Sequence, residues 1–218
     1  MWRFFLKMLP RLIIFAKTNL QVVLKRTFDI FCSFLGLIVL SPLFIIVAIL
    51  VATTSPGGVF YRQVRVGRNF RNFKILKFRS MRPDSDKKGL LTVSSKDNRV
   101  TKVGYFIRKY KIDELPQLIN VFVGDMSFVG PRPEVPKYVE MYNEEQRKVL
   151  SVRPGITDYA SIEYRNENDI LAKSDNPEQT YIDEVMPAKL KLNLQYINDM
   201  SLCVDIKIIF KTFFKIFD

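Results

Sequence analysis

Hydrophobic and polar positions change their rhythm along this chain, and each change predicts an element. From Ile30 to Ala52 no charged residue occurs and almost every position is apolar (IFCSFLGLIVLSPLFIIVAILVA). One straight helix over that run would reach about 34 Å, enough to cross a bilayer core. Pro42 falls near its middle, where a proline removes a backbone hydrogen bond and kinks the axis. Ahead of it, residues 1–24 mix Trp, Phe, Leu and Ile with Arg3, Lys7, Arg11 and Lys17. That composition suits a segment lying in the interface of an anionic leaflet, broken once at Pro10. Behind the run, TSPGG at 54–58 is a turn that ends the helix.

The period then shortens. GVFYRQVRVGR and NFKILKFRSM alternate on either side of Gly67-Arg68-Asn69, which predicts a β-hairpin dense in cations. Residues 83–99 are polar and read as a loop. Helices are expected at about 100–109, 113–123 and 136–150, the last opened by Pro136. Residues 151–181 read as irregular, and two further helices are expected at 187–199 and 204–216. In the last, Lys207, Lys211 and Lys215 stand four apart and share one face beside a broad apolar one. It is a core helix or a second interfacial one; Phe210, Phe213, Phe214 and Phe217 favour the interface.

Charge bears on how the apolar run meets a membrane. Lys25 and Arg26 precede it, and Arg62, Arg65, Arg68 and Arg71 follow it. The positive-inside tendency asks both flanks to stay cytoplasmic, which a straight span does not allow. A helix–break–helix entering and leaving one leaflet does, with Ser41-Pro42 at the turn and the Ser hydroxyl bonding freed carbonyls. A single span kinked at proline is the alternative, and these residues alone leave both open. A cleaved signal peptide is not expected, because the run is too long and starts too late. The chain therefore divides into an interfacial lead at 1–24, a membrane segment at 25–52 and a globular region at 53–218.

With 34 Lys+Arg against 22 Asp+Glu, the 218 residues carry a net charge of +12, and there is no His. The charge favours an anionic partner, whether nucleic acid, anionic lipid or a phosphorylated metabolite. Without His there is no Ser-His-Asp triad, no His general base and no His-ligated zinc or iron. Nucleophilic work falls to Asp, Glu, Lys, Tyr, Ser or Cys. The two cysteines, Cys32 and Cys203, sit in apolar stretches without a CxxC pair, as structural thiols in a reducing compartment do. Neither GxxxxGK[ST] nor GxGxxG occurs, so nucleotide-binding loops of those kinds are excluded.

Two acidic pairs remain. Asp84-Ser85-Asp86 has the Asp-x-Asp form of a metal site, but it sits in a polar loop after a basic strand. Asp113-Glu114 opens a predicted helix. Adjacent carboxylates there can hold a divalent cation, or one can attack phosphorus while the other binds the metal that neutralises phosphates. They also suit a plain helix start, with Asp113 as cap, Glu114 on the helix dipole and Pro116 in the first turn. Lys77, Arg79, Arg108, Arg132, Arg153 and Arg165 supply cations on inferred loops and strand ends. Arg132 stands between Pro131 and Pro133, a stiff mount for bidentate phosphate recognition. Each arginine alone reads equally as part of a solvated basic face.

Five ordered segments carry a resemblance: KRTFDIFCSFLGLIVLSPLFIIVAIL, SPGGVFYRQVRVGR, FKILKFRSMR, IDELPQLINVFVGDMSFVGPRPE and VRPGIT. From about residue 25 to the C-terminus they resemble the bacterial sugar transferase family, monotopic phosphoglycosyl transferases that begin lipid-linked glycan assembly. The chain looks like the family's minimal, single-domain form. The resemblance implies an α+β fold: an N-terminal re-entrant membrane helix-break-helix, broken at Ser41-Pro42, plus a small cytosolic domain of amphipathic helices with a short β-hairpin. It implies transfer of a sugar 1-phosphate from a UDP-sugar to polyprenyl (undecaprenyl) phosphate with release of UMP, at the cytoplasmic face of the bacterial inner membrane. Asp113 is then the nucleophile of a two-step exchange through an aspartyl-phosphosugar, and Glu114 holds Mg²⁺. Arg108, Pro131, Arg132 and Arg165 take UDP-sugar or phosphate, with Lys77, Arg79 and Arg153 added from the cation set above. Partners are the UDP-sugar, polyprenyl phosphate and inner-membrane lipid, not nucleic acid, and a homodimer is left open.

The chain departs from the family after PGIT. Many relatives continue GWAQVNGRN; this chain reads DYASIEYRNEN, keeping Arg165-Asn166 but introducing Asp158, Tyr159 and Glu163. No sugar is borrowed from a relative across that difference. Two other activities fit parts of the sequence. A membrane-tethered basic module would bind anionic lipid or nucleic acid without catalysis, and a plain glycosyltransferase would release UDP in place of UMP.

Overall fold

The computed structural model describes residues 2–83, 85 and 98–217, with side chains from residue 20 to residue 215 of these. Helix α1 (Trp2–Val39) runs without interruption past Pro10, so the break expected there is absent. The Asp-x-Asp carboxylates and most of the 83–99 loop lie outside the described residues.

At Leu40 the chain turns into α2 (Ser41–Thr54), and the two axes bend by 62°. Pro42 stands in the first turn of α2, where its missing N–H costs no helical bond. Ser41 Oγ donates to the carbonyl of Ile38 at 2.7 Å. The proline thus starts a second helix instead of kinking the interior of one. No single described helix is long and apolar enough to cross a membrane, but the bent pair Leu20–Val39 with Ser41–Thr54 is, by length and composition. Phe31, Phe34, Ile38, Ile45, Ile46 and Ile49 are all exposed along the pair.

The remaining fold is α+β, as expected. Strands β1 (Phe60–Val66) and β2 (Asn72–Phe78) form an antiparallel hairpin in register Phe60↔Phe78 to Val66↔Asn72. Asn69 (φ 55°) and Phe70 (φ 61°) take the left-handed conformation in its turn. Helix α3 (Lys102–Lys109) is capped by Thr101, whose side chain accepts from Gly104 N at 2.9 Å. Helix α4 (Gln117–Val123) starts later than expected. Lys111 enters the left-handed region (φ 56°), a 3₁₀ turn covers Ile112–Glu114, and Pro116 occupies the cap position of α4. Asp113 is therefore not a helix cap.

A second, parallel pair joins β3 (Ser127–Val129), between two expected helices, to β4 (Gly155–Thr157), inside sequence read as irregular. The helix expected at 136–150 is divided into α5 (Pro136–Val139), α6 (Glu144–Arg147) and a 3₁₀ turn. The reason is a capping box: Asn143 and Gln146 bond each other's backbone and begin a new helix. The segment read as irregular holds α7 (Tyr159–Glu163), α8 (Glu167–Ala172) and α9 (Pro177–Thr180). Helices α10 (Met186–Asp199) and α11 (Leu202–Phe217) match expectation. Helix α11 packs on the core through buried Asp205 and Ile208, while Phe210, Phe213 and Phe214 are exposed on its other side.

The body is fastened to α1 by polar side chains. Lys25 Nζ donates to Val129 O (2.9 Å), Tyr196 OH (3.2 Å) and Asp205 Oδ2 (2.5 Å). Arg26 donates to the carbonyls of Val121 (2.7 Å) and Phe122 (2.9 Å) at the end of α4. Buried Asp29 accepts from Ser127 Oγ and Phe128 N, both at 3.1 Å. The charges read as membrane flanks thus bond the domain itself and fix the bent pair to β3, α4, α10 and α11.

Candidate active site

The carboxylate pair stands on a three-residue 3₁₀ turn. Left-handed Lys111 turns the backbone back after α3, and the 3₁₀ turn then presents consecutive side chains to different neighbours. A non-glycine residue in that conformation is costly, and such strain gathers at functional sites. Asp113 is 5% exposed, and its Oδ1 is buried without a hydrogen-bond partner. Glu114 Oε1 accepts from Lys77 Nζ of β2 at 2.8 Å and from Arg132 Nη2 at 2.5 Å.

Arg132 owes its position to the loop after β3. Gly130 N donates to Thr157 O at 3.1 Å, and Gly155 N donates to Pro131 O at 3.0 Å. A Cβ on Gly155 would lie 2.1 Å from Gly130 N, so only glycine permits this approach of the two backbones. Arg132 N donates to Asp158 Oδ2 at 3.1 Å, and Asp158 Oδ1 caps α7 through Ser161 N at 2.5 Å. Glu134 closes the loop from the other side: it accepts from Arg65 Nη1 (3.0 Å), Val135 N (2.9 Å) and Tyr181 OH (2.5 Å).

The environment separates the two carboxyls. Burial, with the Glu114 charge, pushes Asp113 above the usual carboxylate range against the pull of Lys77, Arg108 and Lys111. Burial acts in the same direction on Glu114, but Arg132, Lys77 and Lys111 outweigh it and hold that group well below the range. Burial depresses Lys77, which Glu114 only partly offsets. Glu114 is thus a permanent anion neutralised by two cations, while Asp113 keeps a desolvated oxygen that no donor occupies. Once ionised, an oxygen free of donors can act as a nucleophile, and the cations around it suit phosphate.

Of the residues singled out in the sequence, Lys77, Asp113, Glu114 and Arg132 come together, and Arg108 acts electrostatically on Asp113. Pro131 is buried and contributes its carbonyl to the loop. Arg79 is turned elsewhere: Nε donates to Gly58 O at 2.9 Å and secures the turn after α2. Arg153 donates to Gly124 O at 2.9 Å beside Arg26 and Arg68, away from the pair. Both bond loop carbonyls, so neither is drawn to the carboxylate pair here. Arg165 is exposed between α7 and α8, and no described bond draws it to Glu114. Asp158, Lys111 and Glu134 were not read as part of the site. Asp158 carried a signal, an Asp placed to cap a short helix, but the sequence did not show Arg132 as its second partner.

A divalent cation was also expected. Among the described residues no group of three or more His, Cys, Asp or Glu surrounds a common point. Mg²⁺, however, is commonly held by one or two carboxylates with substrate phosphates and water completing its shell. Two adjacent carboxylates, one with an unbonded buried oxygen, fit that mode of binding.

The structure thus sets a buried carboxylate pair, with two cations on one member, in the same body as an apolar bent helix pair. The chain belongs to the bacterial sugar transferase family, whose model matches residues 20–218. It is 39% identical over 201 residues to the UDP-glucose:undecaprenyl-phosphate glucose-1-phosphate transferase of Escherichia coli (strain K12), covering 88% of this chain and 40% of that protein. It is 43% identical over 129 residues to the putative undecaprenyl-phosphate N-acetylgalactosaminyl 1-phosphate transferase of Bacillus subtilis (strain 168), covering 59% and 72%. To the exopolysaccharide production protein PSS of Rhizobium leguminosarum bv. phaseoli it is 36% identical over 201 residues, covering 88% and 94%. The chain spans about two-fifths of the length of the longer curated relatives it matches.

Proposed function

We propose that this protein transfers a sugar 1-phosphate from a UDP-sugar to polyprenyl (undecaprenyl) phosphate and releases UMP, the first membrane step of lipid-linked glycan assembly. The observation that carries this reading is the buried Asp113 oxygen without a donor, beside a Glu114 that Lys77 and Arg132 keep ionised.

In the first step an Asp113 oxygen attacks the sugar-bearing phosphorus. The bond from that phosphorus to the bridging oxygen breaks, and UMP leaves with the electron pair. An aspartyl-phosphosugar remains. In the second, an oxygen of polyprenyl phosphate attacks the same phosphorus and the Asp113 carboxylate departs, so no net oxidation or proton loss is required. Arg108, Lys111 and Arg132 supply positive charge for the phosphates, and the loop tied by Asp158 and Glu134 keeps Arg132 in place through both steps. Glu114 would hold Mg²⁺, which neutralises phosphate charge when bound. We read residues 25–52 as a re-entrant membrane hairpin at the cytoplasmic face of the inner membrane, with 1–24 at the interface and 53–218 as the catalytic domain.

The test is full-length protein in nanodiscs with Mg²⁺, polyprenyl phosphate and a panel of UDP-sugars, with the released nucleotide identified. Lipid-dependent UMP that disappears in Asp113→Asn is expected. Release of UDP, or full turnover by Asp113→Asn, overturns the mechanism. For the topology, Asn19→Cys and Gly58→Cys should both resist a membrane-impermeant thiol reagent applied to the periplasmic side; labelling of one alone would mean a span.

A further inference from the structure

Between α2 and α3 lies an open cavity of about 390 Å³, within the range of ligand pockets. Leu43, Ile46 and Leu50 of α2 form one wall, because positions three and four apart share a helical face. Val103 and Phe106 of α3 form the other, and Ile112 joins the lining. Lys102 alone brings charge to this lining. Ile46, Leu50 and Phe106 are 55%, 45% and 58% exposed, so the apolar wall continues outward onto the lipid-like surface of α2.

The groove has two unlike ends. One opens along the apolar arm of the bent helix pair. The other includes Ile112, which in the chain directly precedes Asp113, the carboxyl on which Arg108 and Lys111 act. A ligand matched to this gradient is a long hydrocarbon carrying one terminal anion. A nucleotide sugar, polar along its length, would leave its hydroxyls unpaired against Leu43, Val103 and Phe106.

We infer that the α2–α3 groove binds the first isoprene units of the polyprenyl phosphate, with the phosphate at the Asp113 end and the tail leaving along α2. This rests on the phosphoglycosyl transferase reading above and adds where the acceptor sits. Each isoprene unit removed from water against these walls adds affinity, and the cations draw the head group to the reacting phosphorus.

The experiment uses full-length protein in nanodiscs and a polyprenyl phosphate with a diazirine in its first isoprene units. Photolabel should fall on peptides containing residues 43–50 and 102–112, and excess unlabelled polyprenyl phosphate should compete it away. Ile46→Trp, which narrows the groove from an exposed position, should reduce that competable label about tenfold, the equivalent of 1.4 kcal/mol. Met141→Trp, exposed between α5 and α6, controls for a new indole and should label like the native chain. Competable label elsewhere, label absent from these two peptides, or equal competition by phosphatidylglycerol overturns the assignment. UMP release is measured on the same preparation. Label in the groove without UMP from any UDP-sugar would count against the catalytic reading and leave the groove standing; UMP with label elsewhere would do the reverse.

Discussion

Replacing Glu114 by Gln tests the electrostatic core of the site. The side chains of Glu114, Lys77 and Arg132 are 12%, 21% and 34% exposed, so the triad is shielded unevenly, with Arg132 nearest to water. A pair of unit charges near 4 Å in a medium of effective dielectric 20 attracts by about 4 kcal/mol. Most of that is offset by desolvation, and breaking a buried pair by removing one partner costs roughly 3–5 kcal/mol. Glutamine keeps an oxygen that can still accept one hydrogen bond, and the exposure of Arg132 calls for a discount. The expected loss is therefore about 2–3 kcal/mol, a fall in Tm of about 4–12 °C for a chain of this size. Thermal unfolding of detergent-purified protein, followed by circular dichroism, measures it. The double variant Glu114→Gln/Lys77→Met removes a charge from each side and should recover at least about 1 kcal/mol relative to the sum of the single variants. Strict additivity, or a Tm within one degree of native for Glu114→Gln, would refute the claim that Glu114 is held as a buried anion by two cations.

Other expectations follow from the same geometry. Asp158→Ala leaves Arg132 N and Ser161 N without their acceptor and should cost about 2 kcal/mol while raising KM for the UDP-sugar; Asp158→Asn, which retains one acceptor oxygen, should fall between. Gly155→Ala puts a methyl 2.1 Å from Gly130 N, so the strands must part; a loss of about 1–3 kcal/mol is expected with a parallel fall in turnover, seen by thermal melts and UMP release. Burial first raises the Asp205 carboxyl, and Lys25 and Tyr196 only partly restore it. A raised carboxyl favours the folded state when protonated, so its contribution is lost as pH rises from the ordinary Asp value through the folded one. The stability difference between native protein and Asp205→Asn should thus shrink as pH rises above the ordinary Asp value, and a difference in melts that widens over that rise would contradict it.

Much of this architecture is written in local pattern. The charge-free run, the Ser41-Pro42 break, the β1–β2 alternation and the periodicity of α10 and α11 depend on neighbours within a few residues, which is why they can be read directly. The pairing of Asp113 with Glu114 and the rigidity of Pro-Arg-Pro are equally local. Other decisions required distant segments to meet. Strands β3 and β4 pair over only three residues each, too few to show a period, and they pair because Gly130 and Gly155 allow the backbones to touch. An arginine's partner is not encoded in its type: Arg132 reaches Glu114, whereas Arg79 and Arg153 satisfy loop carbonyls. Asp113 looked like a helix cap until the left-handed turn at Lys111 moved the helix start to Pro116 and left its oxygen without a donor. Sequence alone decides which segments are apolar, which turn and which residues could do the chemistry. Tertiary packing decides which cations meet which carboxylate, because that depends on desolvation and approach across the fold.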